Sequence, residues 1–145
     1  IASETIPEAA TADGLASVRV IAGEALGVTA VIETRTPIAY HHWRLHAGAD
    51  VLVPVAADMR VSVYVFRGVA TISGRELREG QLAILGDGEA VPLAAAEEAE
   101  LLLLAGRPIK EPVSWYGPFV MNTRSQIEEA ITDYQAGRLG VITRG

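Results

Sequence analysis

With 145 residues, half of them hydrophobic, the chain is long enough for one domain that buries roughly 70% of its unfolded surface without covalent staples. It contains no cysteine, which excludes a disulfide framework, thiolate metal sites and a cysteine nucleophile, and leaves the redox compartment open. Its net charge is −6 and its basic residues are Lys110 and scattered single arginines, which argues against direct nucleic-acid binding through a phosphate backbone.

Residues 1–16 read as an entering arm: Ile1 to Gly14 is polar and Ala-rich, carries Pro7 and keeps no sustained period. The chain opens on Ile1 rather than methionine and no signal-peptide pattern precedes the domain, so a piece of a longer chain is expected. Residues 17–106 read as an all-β barrel. Val18 to Ala22 alternates as a first strand, Gly23 and Gly27 bracket a turn, and Val28 to Ile32 is expected as a second strand. Thr36-Pro37 then sets an extended entry to Ile38–Leu45, IAYHHWRL.

That run holds all three histidines. Side chains alternate across a strand, which puts His41 with Trp43 and Leu45 on one face and His42 with Arg44 and His46 on the other. The apolar company of His41 points it into the barrel, where a lone imidazole is a hydrogen-bonded core or pocket residue more often than a metal ligand. His42 and His46, four residues apart on the wetter face, read as a surface coincidence rather than a metal clip.

Gly48 to Val91 is the heart of the barrel, a series of short apolar runs between Gly-containing turns. Val61 to Phe66, VSVYVF, is continuously apolar enough to require cover on both faces. Arg67-Gly68 is expected to turn it into a hairpin with Val69 to Ile72, and Ser73-Gly74 and Glu79-Gly80 punctuate the strands around Glu76-Leu77 and Gln81 to Leu85. Glu89 to Leu93 and Glu100 to Ala105 supply further strands around a bend at Ala94 to Glu98. Glu97, Glu98 and Glu100 read as a solvated rim. No phosphate-cradling glycine loop, nucleophile elbow or two-histidine metalloprotease helix occurs, and Gly86-Asp87-Gly88 is only a tight turn. No apolar run approaches the ~20 residues a membrane-spanning helix needs.

Residues 107–145 change character. Pro108, Pro112 and Pro118 make an ordered connection, Thr123 and Gln126 form a capping box, and Ile127, Ala130, Ile131 and Tyr134 recur at helical spacing until Gly137. The proline-rich connection can carry the stripe of Ile127, Ile131 and Tyr134 clear of the barrel, so an interface there is expected, with self-association or another barrel as its cover.

Gly106 to Gly140, GRPIKEPVSWYGPFVMNTRSQIEEAITDYQAGRLG, resembles the C-terminal signature of the pirin family, GxPxxEPVxxxGPFVMNT before a helix ending near DYxxGxxG. Val20 to Leu26 and Thr34 to Pro37 resemble the start of that family's second domain. The resemblance covers nearly the whole chain, and a run such as GPFVMNT is not explained by propensity.

Pirins are two-barrel cupin proteins, so the resemblance implies a jelly-roll cupin barrel with a short C-terminal helix, without the first barrel, where the family's iron lies. Anchored on Gly68, the cupin acid ligand would fall on Val61 and the paired histidines near Pro54 and Ala56, while the last histidine would fall near Val91. None of these four residues is a ligand. The chain also departs from the family at His41-His42, where pirins more often carry an aliphatic residue and then an acid. The resemblance thus implies a non-catalytic binding or scaffolding half of a cytoplasmic two-barrel protein, with no cofactor in this chain. Two alternatives are part of a quercetin 2,3-dioxygenase whose metal lies in the other barrel, and a stand-alone cupin binding a small ligand in a mostly apolar pocket of His41, Ala56, Val61 and Val91.

Overall fold

A computed structural model describes residues 3–140. The chain divides into two compact units, one running to Pro108 and one starting at Ile109.

The first unit is all-β apart from a 3-10 turn at Ser3–Thr5. Its strands are β1 (Glu8–Ala10), β2 (Ala16–Ala22), β3 (Glu24–Ala25), β4 (Val28–Thr29), β5 (Ile38–Leu45), β6 (Ala49–Pro54), β7 (Arg60–Ile72), β8 (Arg75–Arg78), β9 (Leu82–Ile84), β10 (Ala90–Ala95) and β11 (Ala99–Gly106). Nine of them form one curled sheet in the order β1-β2-β5-β11-β7-β10-β6, with β8 and β9 also on β7; β3 and β4 pair separately. Every pairing is antiparallel. The entering arm, which keeps no sustained period, contributes β1, which lies along β2 with Glu8 opposite Arg19.

Inward residues alternate with outward ones along β2, β6 and β11, and the inward set of these strands is Ala, Val and Leu. That period-2 pattern closes a single core through Trp43, Leu45, Val63, Ile72, Leu93 and Leu101.

Strand β7 departs from expectation. Val61 to Ile72 is one strand, not a hairpin, and Arg67-Gly68 lies inside it. Its buried positions are Val61, Val63 and Val65, then Ala70 and Ile72, so the inward parity flips midway. A strand can change parity without reversing only by bulging, and the partner register shows the bulge: Leu101 faces Val65 while the adjacent Glu100 faces Arg67. Gly68 follows at φ 74°, where a β-carbon would run into the carbonyl oxygen of Glu98. The bend lets the first half of β7 lie between β11 and β9 and the second half between β8 and β10. Residues Ser62, Tyr64 and Phe66 are only half covered, so the second face of this strand is not fully buried. The strand expected over Val28 to Ile32 is shorter than predicted, because β4 pairs only with the two residues of β3.

The second unit holds a hairpin, β12 (Ser114–Tyr116) and β13 (Phe119–Met121), followed by helix α1 (Arg124–Gln135). Tyr116 pairs with Phe119 across the two-residue loop Gly117-Pro118, with Gly117 at φ 56°, as a tight hairpin asks of its first loop residue. The Asn122 side chain donates to Glu111 Oε2 at 2.9 Å and to the Pro112 carbonyl at 3.0 Å, tying the segment before the hairpin to the start of the helix. Thr123 caps α1: its Oγ1 accepts from the Gln126 N–H, and Gln126 Oε1 accepts from the Thr123 N–H at 3.0 Å. The motif GPFVMNT is therefore a turn, a strand, a clamp and a cap in succession. The helix packs on its own hairpin and buries Ile127 and Ala130; Ile131 is half-buried and Tyr134 exposed. No helix of the described residues is long and apolar enough to cross a membrane.

Candidate binding cleft of the barrel

The alternation of β5 sends His41, Trp43 and Leu45 inward, and all three are buried. His41 is 2% exposed, yet neither of its ring nitrogens has a hydrogen-bond partner within the protein. The indole Nε1 of Trp43 is also without one, and the two rings meet edge to face with centroids 6.5 Å apart. Burial pushes the His41 pKa below its ordinary value, because an imidazolium there would lose its hydration with no counter-charge in return.

His41 lines a cleft of about 660 Å³ together with Ala56, Pro54, Val55 and Met59 on one side and residues of the segment between β4 and β5 on the other. Pro54 ends β6 and Ala56 lies just beyond it. Val61 and Val91 line a different cleft, of about 220 Å³, and Val55 lines both. The four residues named as a possible pocket are thus divided between two cavities, with His41 and Ala56 sharing the larger. Val61 and Val91 are core residues, 4% and 1% exposed.

The outward face of β5 carries a polar network that the sequence did not reveal. His42 Nε2 lies 2.8 Å from Glu100 Oε2, and Arg44 and Arg67 reach the same carboxylate at 3.6 and 3.1 Å. Burial alone would raise the Glu100 pKa, but the hydrogen bonds from His42 and Arg67 and the charges of His42 and Arg44 outweigh it and hold the group below the usual carboxylate range. Glu100 is therefore the hub of a cross-strand network, in contrast to the expected solvated rim, because the β11 register sets it beside Arg44 and Arg67. Glu97 and Glu98 are exposed, and Glu98 approaches His46 at 3.3 Å. His42 and His46 are each engaged with a carboxylate.

Among the described residues no cluster of three histidine or carboxylate side chains is placed to hold a metal ion. Pro54, Ala56, Val61 and Val91, the residues that the motif comparison sets at cupin ligand positions, offer no ligating side-chain atom, so these four do not fit an iron ion.

Residues 40–140 match the family described as Pirin C-terminal cupin domain. Mouse Pirin is 37% identical over 144 residues, covering 95% of this chain and 49% of that protein. A Vibrio cholerae protein provisionally named a quercetin 2,3-dioxygenase is 40% identical over 105 residues, 72% of this chain and 37% of its own length. Among solved structures, quercetin 2,3-dioxygenase from Acinetobacter baumannii superposes with a TM-score of 0.88 at 33% identity, over 99% of this chain and 50% of that one. The chain spans about half or less of the length of these relatives. With its curled sheet, capped tail helix and a family match across residues 40–140, the chain belongs to the pirin family and carries its C-terminal cupin domain.

Proposed function

We propose that this chain is the non-catalytic, binding and scaffolding half of a two-barrel pirin-type protein, with no metal in its own barrel. The observation that carries this reading is the side chains at the cupin ligand positions: Pro54 and Ala56 edge the larger cleft, while Val61 and Val91 belong to the core. Oxygen chemistry on a flavonol needs a redox metal or an organic cofactor, and the sequence carries no motif for either. In a protein of the relatives' length, dioxygenase activity would then belong to the other barrel. The test is elemental analysis of tag-free protein after exposure to iron and dialysis, paired with quercetin consumption in aerobic buffer. No stoichiometric iron and no turnover above a metal-only blank are expected. A full equivalent of iron lost on His41→Ala, with turnover lost alongside it, would overturn the reading. Metal lost only with His42 or His46 would mark a surface clip and leave the reading standing.

The scaffolding part rests on the tail. The hairpin exposes Trp115, Tyr116 and Val120, at 75%, 68% and 61%, beside a groove formed with Ile127 and Ile131 of the helix. Ile127 finds cover within its own unit, so the apolar surface left for docking is the hairpin face and Tyr134 rather than the whole helical stripe. In this proposal the surface docks on another cupin barrel, either in a longer chain or in a second copy. Light scattering on the intact chain and on Trp115→Ser/Tyr116→Ser tests it. Association of the intact chain, lost in the variant, supports a second copy; a monomer that binds a separately produced first barrel through the same residues supports the other source. A monomer that binds neither refutes docking.

A further inference from the structure

Among the described residues β9 is hydrogen-bonded to β7 alone, so its far side is an open sheet edge. The register fixes which groups line that edge. Val65 N–H donates to the Gln81 carbonyl and Leu85 N–H to the Val61 carbonyl, so positions 81, 83 and 85 turn their backbone groups toward β7. Leu82 and Ile84 therefore turn their N–H and C=O groups away from it, where no described residue pairs with them. The side chains of the same residues are exposed, Leu82 at 55% and Ile84 at 79%. The other edges of the barrel are blunted with charge or proline: β1 carries Glu8, β6 carries Asp50 and Pro54, and β8 carries Arg75, Glu76 and Arg78. Strand β9 reads Leu-Ala-Ile and has neither.

We propose that β9 is the interface at which two copies of this chain join their sheets, edge to edge and antiparallel, about a two-fold axis at Ala83. An antiparallel pair is itself two-fold symmetric, so a strand can pair with its own copy when its outward groups match themselves. They do so here. With Ala83 opposite Ala83 of the second copy, Leu82 of each chain faces Ile84 of the other, and each facing pair exchanges N–H and C=O in both directions. The side chains follow the same symmetry: Leu82 lies beside Ile84 of the second copy on the outer face, continuing the row that Tyr64 and Ser62 begin on β7. A one-residue slip would set an outward group against one already bonded to β7. A two-residue slip would set Leu82 against Gly86 or Ile84 against Gly80, losing a side-chain contact. This self-match favours a second copy over a strand of another protein, which would satisfy the same backbone groups. The interface uses none of the tail residues assigned to docking above.

The test is made in the full chain carrying Trp115→Ser/Tyr116→Ser, which removes association through the tail. The chain has no cysteine, so a single introduced one reports proximity without interference. Ala83 and its copy would form a non-hydrogen-bonded pair with Cα atoms about 4.5 Å apart, within the span of a disulfide. Ala83→Cys is therefore expected to give a covalent dimer on mild oxidation, and Glu76→Cys on the exposed β8 to give none. Without any change at β9, amide exchange followed by NMR is expected to slow about tenfold or more at Leu82 and Ile84 as protein concentration rises, while Ala83, bonded to β7, is protected throughout. Leu82→Lys/Ile84→Lys, which charges this edge as β8 is charged, is expected to weaken the dimer about tenfold or more with the fold intact by circular dichroism. No Ala83→Cys dimer above the Glu76→Cys control, fast exchange at Leu82 and Ile84 at the highest soluble concentration, or a dimer undisturbed by the lysine pair would overturn the proposal. So would protection that appears only when a separately produced first barrel is added, which would give the edge to a different chain. A chain that is dimeric with its tail intact and monomeric in the Trp115→Ser/Tyr116→Ser background supports tail docking and overturns the β9 interface.

Discussion

Replacing His41 with leucine is expected to stabilise the barrel. The side chain is 2% exposed and both ring nitrogens lack protein partners, so folding strips the imidazole of water and returns no hydrogen bond. A buried polar group left in this state costs about 1–3 kcal/mol, and leucine fills a similar volume with no polar atom to satisfy. The gain should be about 1–3 kcal/mol, which in a chain of this size raises Tm by roughly 2–10 °C. The same substitution changes the pH dependence. Burial lowers the folded-state pKa of His41, so the unfolded chain binds the proton more readily. Wild-type stability is then complete above the unfolded pKa of about 6.5 and falls as pH drops through the window beneath it, by at most about 1.4 kcal/mol per pH unit. His41→Leu should flatten that slope. Thermal and urea melts of both proteins from pH 5 to 8, followed by circular dichroism, measure both effects. An unchanged or lower Tm, with an unchanged slope, would refute the reasoning by showing that solvent satisfies and charges the ring in the folded state.

Gly68→Ala should destabilise by about 3 kcal/mol, because the residue combines φ 74° with a β-carbon forced against the Glu98 carbonyl; a loss under about 1 kcal/mol in urea melts would mean that the bulge relaxes freely. Glu100→Gln should cost roughly 1–2 kcal/mol at pH 7 by weakening the links to His42, Arg44 and Arg67. Because the Glu100 pKa is held down in the fold, that stabilisation is present above about pH 4.5 and disappears as pH falls through the folded value, so acid titration should show a shallower loss in the variant. Thr123→Ala removes one half of the capping box and should cost about 1 kcal/mol, read as faster amide exchange in residues 124–128 with the barrel amides unaffected.

The elements decided by neighbours in sequence were readable without a structure. The helix lies where Thr123, Gln126 and Gly137 place it, because a cap and a stop act within three or four residues. The strand Ile38–Leu45 has the inward face that alternation assigns it, since strand geometry alone puts His41, Trp43 and Leu45 on one side. The motif GPFVMNT identified the family, although its physical roles as turn, clamp and cap emerged only when Asn122 was seen to reach back to Glu111 and Pro112. Other features depend on residues far apart in the chain. Arg67-Gly68 carries the same local signal in a hairpin as in a bulge, and only the pairing of β7 with β8, β10 and β11 selects the bulge. The three glutamates of residues 97–100 look alike in sequence, yet strand register hands Glu100 the side chains of His42, Arg44 and Arg67 and leaves Glu97 exposed. Periodicity could send His41 inward, but whether its nitrogens find partners depends on every strand and loop that converges there. That is a property of the closed barrel, and the tertiary structure alone decides it.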